Sequence, residues 1–170
     1  PPVRRHQRDR ALHAMAAACN VTLATVLNAI WALLLARYSD QSDVVFGAVV
    51  SGRPADLPDA DRMIGNFINT IPVRVRLDRA HTSKDLLGVL QHDAAAAAPH
   101  QYLTLSRIQS AHRLQGGLVD TLVSFANYPV DRGLVDALSG QDRATDPGFA
   151  VETGTHLAET HYDVDVQFIP

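Results

Sequence analysis

The sequence predicts an α/β (α+β) domain: a mixed β-sheet with helices packed on it. Three observations predict it. Apolar residues recur at helical spacing through residues 8–19 and 22–38. A short, continuous, β-branched run, Val44-Val45-Phe46-Gly47-Ala48-Val49-Val50, reads as a buried strand. Strict alternation returns at Ile71, Val73, Val75 and Leu77 and again at Val164, Val166 and Phe168. Helical and strand patterns intermingle along the chain, which favours one sheet with helices laid on it.

The first helix is expected from about Arg8 to Cys19, with Leu12, Met15, Ala16 and Cys19 on one buried face and Asn20 at its end. Thr22 can cap a second helix to about Tyr38. Val26, Leu27, Ile30, Leu34, Leu35 and Tyr38 share a stripe, and Trp31 and Leu33 widen it, so this helix is expected to be buried on more than one side. Residues 44–50 follow as a central strand covered on both faces. The stretch 51–63 contains Gly52, Pro54 and Pro58 and has no apolar period. A loop of that length is uncommon unless it has work to do. Thr70 to Leu77 reads as a strand, and Pro72 assigns it to an edge or to the strand's first residues, because proline cannot donate to a ladder.

Ser83 is expected to cap a third helix through Leu86, Leu87, Leu90 and Ala94, ended by Pro99. The alanine run 94–98 is strong helix former and needs no functional reading. A short helix from Thr104 to His112 follows, broken at Gly116-Gly117. Asp120 to Phe125 reads as a strand turning at Asn127-Tyr128-Pro129. Residues 131–148 read as loop, and Phe149 to Glu152 and Asp163 to Ile169 as strands.

Composition bounds the function. The chain has 170 residues, 46% hydrophobic and 19% charged, which is one soluble domain's worth with a real core. A net charge of −3 gives no general reason to expect nucleic-acid binding. Arg37 and Asp40 end the longest apolar stretch before membrane-spanning length, and no signal peptide is read, so a cytoplasmic, non-membrane protein is expected. Lone Cys19 fits a small core residue in a reducing compartment. His156 and His161 lack the spacing and the cysteines of a metal pair, so no metal is expected. Arg4, Arg5, Arg8 and Arg10 fit a solvated helix face or a surface for an acidic partner. Pro1-Pro2 with no initiator Met reads as a piece of a longer polypeptide.

Two motifs flank one loop. The apolar run to Val50 ends in Ser51-Gly52-Arg53-Pro54, and Ile64-Gly65-Asn66-Phe67-Ile68-Asn69-Thr70 opens the next run. Ser51 and Gly52 fit either channel lining or a strand-ending turn. Arg53 fits an ion pair that holds the loop through Asp56, Asp59 or Asp61. Gly65 fits a close backbone approach. Asn69 and Thr70 need hydrogen-bond partners if buried, which suits loop support or the shaping of a channel.

Together with Val21-Thr22-Leu23, Trp31-Ala32-Leu33-Leu34-Leu35, Pro99-His100-Gln101-Tyr102-Leu103 and Asn127-Tyr128-Pro129, these segments resemble, in order, the carboxyl-terminal half of nonribosomal peptide synthetase condensation domains. The resemblance implies one lobe of a two-lobed fold similar to chloramphenicol acetyltransferase, with a tunnel between the lobes. It implies amide-bond formation between carrier-bound aminoacyl or peptidyl thioesters. The 51–63 loop would line the tunnel floor, and a 129–155 crossover would latch onto the other lobe.

The implied partners are the amino-terminal lobe, upstream and downstream peptidyl carrier domains and an adjacent adenylation domain. Phosphopantetheine arms arrive on the carriers, so no bound cofactor is implied. The implied channel residues are Ser51, Gly52, Arg53, Gly65, Asn69 and Thr70, and His100 matches a family motif as a helix-end group or an acid–base group.

The family's His-His-x-x-x-Asp-Gly signature belongs to the first lobe and is absent here, so no catalytic residue is expected in this chain and none of its activity in isolation. The chain is also expected to stop before the family's last helix and strands. The family commonly has Pro-Gly in the floor loop where this chain has Pro58-Asp59, and a Glu where it has Asp61. Ala126 stands where a Glu commonly precedes the Asn-Tyr-Pro turn. Alternatives are a non-catalytic carrier-binding lobe, or a related acyltransferase or epimerisation variant.

Overall fold

The computed structural model describes residues 2–53, 57–59, 62–78, 82–111, 117–125 and 161–168, with side chains from residue 9 onward. Helices α1 (Pro2–Cys19) and α2 (Leu23–Ser39) precede strands β1 (Asp43–Val50) and β2 (Asn69–Arg76). Helix α3 (Ser83–Ala97) leads through a 3₁₀ turn, Ala98–His100, to α4 (Leu105–Ala111), β3 (Thr121–Phe125) and β4 (Val164–Phe168). The expected mixed sheet with helices on it is present. Its order is β2-β1-β3-β4, with β1 antiparallel to β2 and parallel to β3, and β3 parallel to β4.

Sequence chemistry sets the helix ends. Asn20 takes φ 55°, and Val21 N–H donates to the Ala16 carbonyl, a left-handed helix stop. Thr22 caps α2 through the Thr25 N–H. Gln91 of α3 accepts from the Thr22 N–H at 2.9 Å and from the Thr25 hydroxyl at 2.8 Å, so one amide ties α3 to the start of α2. The cap of α3 is Thr82, not Ser83, because Asp85 reaches back to the Thr82 N–H and completes a reciprocal capping box. Pro99 lies inside the 3₁₀ turn that follows α3.

The core lies between the helices and one face of the sheet. Val44 and Phe46 of β1, Val75 of β2 and Val123 of β3 meet Ala16, Val26, Ala29, Ala32, Leu87 and Leu90. The expected α2 stripe is corrected here. Its core-facing residues in the middle of the helix are Ala29 and Ala32, whereas Ile30, Leu33, Leu34 and Tyr38 are exposed, Tyr38 by 88%. Small side chains let the helix lie close to the sheet; Val26 and Leu27 are buried as expected, Trp31 and Leu35 pack partly buried against the core, and Ile30, Leu33, Leu34 and Tyr38 turn outward. Burial on more than one side holds only for Thr25 to Leu27 near the start. Met15, expected inside, is also exposed, while Ala16 is buried and Leu12 and Cys19 pack against the core as expected.

Strand β1 is central. Val44, Phe46 and Ala48 face the helices. On its other face only Gly47 is buried, crowded by Thr70, Val119 and Leu122, so cover there is partial among the described residues. Strand β2 is an edge among the described residues, the position Pro72 favours. Ile71, Val73 and Val75 register with Ala48, Phe46 and Val44, which puts the alternating residues on the helix side as expected. On the opposite face, Arg74 makes a two-pronged pair with Asp43 at 2.9 and 2.6 Å. That guanidinium holds the Asp43 carboxyl below the usual aspartate range, and Arg74 is raised in turn. The expected turn at 127–129, the 131–148 loop, the 149–152 strand and the 129–155 crossover lie outside the described residues. Among the described residues no single helix is long and apolar enough to cross a membrane.

Candidate functional site

Both motif segments converge where β1 ends and β2 begins, because the antiparallel register places Val50 opposite Asn69. Gly52 turns the chain at φ 60°, and a Cβ there would lie 2.0 Å from the Phe67 carbonyl oxygen. Only glycine meets both demands. The close approach expected at Gly65 is therefore found at Gly52. At Gly65 an added Cβ would touch only the Phe67 ring, at an ordinary 3.4 Å.

Arg53 reaches across the loop. Its Nη1 donates to the Met63 carbonyl at 3.2 Å, and its guanidinium lies 4.4 Å from the centre of the Phe67 ring. Asp56 and Asp61, two of its expected carboxylate partners, lie outside the described residues. Phe67 thus serves twice, its carbonyl against Gly52 and its ring beneath Arg53. No periodic pattern marks it, since it stands in a loop. Within the loop, Asp59 takes φ 56° and its carbonyl accepts from the Arg62 N–H at 2.9 Å. That is the position where the resembled pattern carries glycine.

Asn69 uses its whole amide. Its Nδ2 donates to the Gln101 carbonyl at 2.6 Å and the Leu103 carbonyl at 2.8 Å, and its Oδ1 accepts from the Thr70 N–H at 2.9 Å. Thr70 is half-buried, and its methyl would be 2.9 Å from a Cβ on Gly47. Ser51 is exposed at the strand end. His100 is exposed, and its backbone carbonyl accepts from the Leu103 N–H at 3.0 Å. Asn69 therefore brings the loop motif and the His100-Gln101 motif together through backbone, not through the imidazole.

Around this junction stand exposed apolar side chains: Met63, Ile64, Ile68 and Tyr102. On the helix side of the sheet a cleft of about 320 Å³ reaches Val50, Ile71, Gln101 and Phe125. Among the described residues no three His, Cys, Asp or Glu side chains come together to hold a metal.

The arrangement can shape a surface and hold it rigid. Comparison with known proteins agrees in kind. The family model described as Condensation domain matches residues 5–170. Bacitracin synthase 3 of Bacillus licheniformis is 39% identical over 151 residues, covering 89% of this chain and 2% of that synthase. Surfactin synthase subunit 2 of Bacillus subtilis (strain 168) is 36% identical over 168 residues, covering 99% of this chain and 4% of that protein. The chain thus spans a few hundredths of the length of these relatives.

Among solved structures, the first condensation domain of the CDA synthetase superposes with a TM-score of 0.63 at 20% identity, over 72% of this chain and 28% of that one. At that identity it speaks for the fold alone. The structure of holo T3CT superposes with a TM-score of 0.58 at 28% identity, over 64% of this chain and 26% of that one.

Proposed function

We propose, since this chain belongs to the condensation-domain family, that it is the carboxyl-terminal lobe of such a domain in a nonribosomal peptide synthetase. In this reading the intact domain forms an amide bond. The amine nitrogen of a downstream aminoacyl group attacks the thioester carbonyl of an upstream aminoacyl or peptidyl group. The carbon–sulfur bond breaks, and the proton lost by the amine passes to the leaving sulfur, which leaves a thiol on the upstream phosphopantetheine arm. The upstream and downstream carrier domains bring both arms, and an adenylation domain loads them.

The observation that supports the reading best is the convergence of the two motif segments at the Val50–Asn69 junction. Gly52 under the Phe67 carbonyl and Arg53 over the Phe67 ring fix the loop that would form the tunnel floor. The exposed rim of Met63, Ile64 and Ile68 suits cover by the amino-terminal lobe. This lobe's part is positional. It would line a dry channel in which two thioesters meet, where proximity and exclusion of water supply much of the rate. The acid–base group and the oxyanion donors would come from the other lobe.

The test is product formation by the full-length polypeptide with both carriers loaded, beside the same reaction with this chain alone. Dipeptide from the full polypeptide and none from the isolated chain is expected. Dipeptide from the isolated chain, or a full polypeptide that only binds carriers, would overturn the reading.

A further inference from the structure

One edge of β2 is paired and the other is open. The Leu77 N–H donates to the Ser42 carbonyl at 2.7 Å, which makes these two a hydrogen-bonded pair in the ladder. Antiparallel pairs alternate, so Val75, Val73, Ile71 and Asn69 also turn their backbone groups toward β1. Thr70, Pro72, Arg74 and Arg76 turn theirs away. Two observations agree with that phase. Pro72, which has no N–H, falls on the outer side. The Thr70 N–H is taken by the Asn69 side chain at 2.9 Å and not by β1. No strand lies beyond β2 among the described residues. The carbonyls of Pro72, Arg74 and Arg76 and the N–H groups of Arg74 and Arg76 are therefore left unpaired among those residues.

Helix α3 runs back alongside β2, and a trough lies between them. Three hollows of about 250, 160 and 320 Å³ share walls along it. Leu86 borders the first two, and Leu90 and Asp93 border the last two. The middle hollow lies between the 74–76 stretch of β2 and Leu86, Val89, Leu90 and Asp93 of α3. Val89 is 50% exposed, and Asp93 stands at the solvent rim. An open strand edge beside a helix, with apolar hollows between them, is the geometry in which an extended peptide adds a strand. Main-chain bonds hold such a peptide, and every second side chain fills a hollow.

Charge selects the occupant. Arg74 and Arg76 lie on the face of β2 away from α3, across the ladder from Asp43. Asp43 is held at both oxygens by Arg74, and Arg76 makes no ion pair among the described residues. A second copy paired edge to edge would bring the arginines of both strands together on that face, where like charges repel. Such charges and Pro72 blunt an edge against its own kind. A strand that carries a carboxylate on that face meets Arg76 instead.

We propose that the trough between β2 and α3 docks an extended segment of a separate protein chain, added as a strand to the open edge of β2. Its apolar side chains enter the trough, and an acidic side chain on the other face lies beside Arg76. The inference concerns the outer edge of the sheet and stands apart from the amide-forming reading.

The experiment measures fluorescence anisotropy of short labelled peptides on the full-length polypeptide. One probe alternates valine with glutamate, and a second alternates valine with lysine. The glutamate probe should bind, and the lysine probe should bind about fivefold more weakly, as cross-strand charge pairs dictate. Methylating alternate backbone nitrogens of the glutamate probe should abolish binding in one phase and spare it in the other. Val89→Glu puts a charge against the apolar side chains and should weaken the glutamate probe about tenfold. Arg76→Glu should reverse the order of the two probes. Thermal melting establishes that each variant is folded, and if Val89→Glu does not fold, Arg76→Glu and the methylated probes carry the test. No binding of the glutamate probe, binding that survives methylation in both phases, or an unchanged order in Arg76→Glu overturns the inference. A dimer of the full-length polypeptide that Val89→Glu dissociates overturns it too, since a second copy then fills the trough.

Discussion

The amide nitrogen of Asn69 lies 2.6 Å from the carbonyl oxygen of Gln101, and the same nitrogen reaches the Leu103 carbonyl at 2.8 Å. One side chain at the first residue of β2 therefore fixes the turn that carries His100. Asn69→Ala leaves both carbonyls short of a donor, and the expected loss is about 1–3 kcal/mol of stability. Activity per folded molecule of the full-length protein should change less than the melting temperature. If turnover falls much further than stability, Asn69 shapes the channel itself.

Gly52 and Gly65 should respond in opposite ways. Gly52→Ala places a methyl 2.0 Å from a backbone oxygen at a left-handed φ, so at least about 2 kcal/mol should be lost. Gly65→Ala meets only the edge of a ring and should stay within about 0.5 kcal/mol of the parent. Chemical denaturation of the two variants side by side reads the contrast. Equal losses would mean that the turn at Gly52 is not rigid.

Asp59 holds φ 56° without the freedom of glycine. Asp59→Gly should relieve that cost and leave the chain as stable as the parent or better, by up to about 1 kcal/mol. Asp59→Val should be worse than either, because branching at Cβ tolerates the left-handed region least. A calorimetric ranking of Gly, Asp and Val in that order checks it.

The Asp43–Arg74 pair predicts a pH dependence with a fixed sign. The aspartate is lowered by its hydrogen bonds to the guanidinium, so its contribution is present above the ordinary aspartate range. The contribution is lost as pH falls through the lowered folded value. Both side chains are largely exposed, so the contribution is small. The melting temperature of Asp43→Asn should sit slightly below the parent at neutral pH, and the gap should close in strong acid. A gap that widens on acidification would contradict the assignment.

Much of the fold was legible because its signals are local. Thr22 announced a cap, Asn20 a helix stop, and Pro72 an edge strand, each through backbone chemistry that needs no partner elsewhere. The α2 stripe was misread because periodicity weighs Ile30, Leu34 and Tyr38 by hydrophobicity. The distance between helix and sheet rewarded Ala29 and Ala32 instead. The cap of α3 slipped by one residue because Thr82 and Ser83 are equally good caps until Asp85 chooses between them.

At the site, the convergence of the two motif segments was readable from their order. The use of Asn69 was not, because its partners are carbonyls far along the chain, and a carbonyl has no sequence signature. Gly65 drew the expectation that belonged to Gly52, since neither glycine shows which backbone will pass beside it.

The pairing of β1 carries a consequence for the order of assembly. Its partner β2 returns through a single loop, whereas its other partner, β3, arrives only after α3 and α4 have been laid down. Closing the longer span costs more chain entropy, so the contact between Gly47 and Leu122 should form late. A transition state built on α2, β1 and β2 follows, with β3 and β4 joining downhill. Mutations at Val123 should then speed unfolding, while mutations at Phe46 or Val75 should slow refolding.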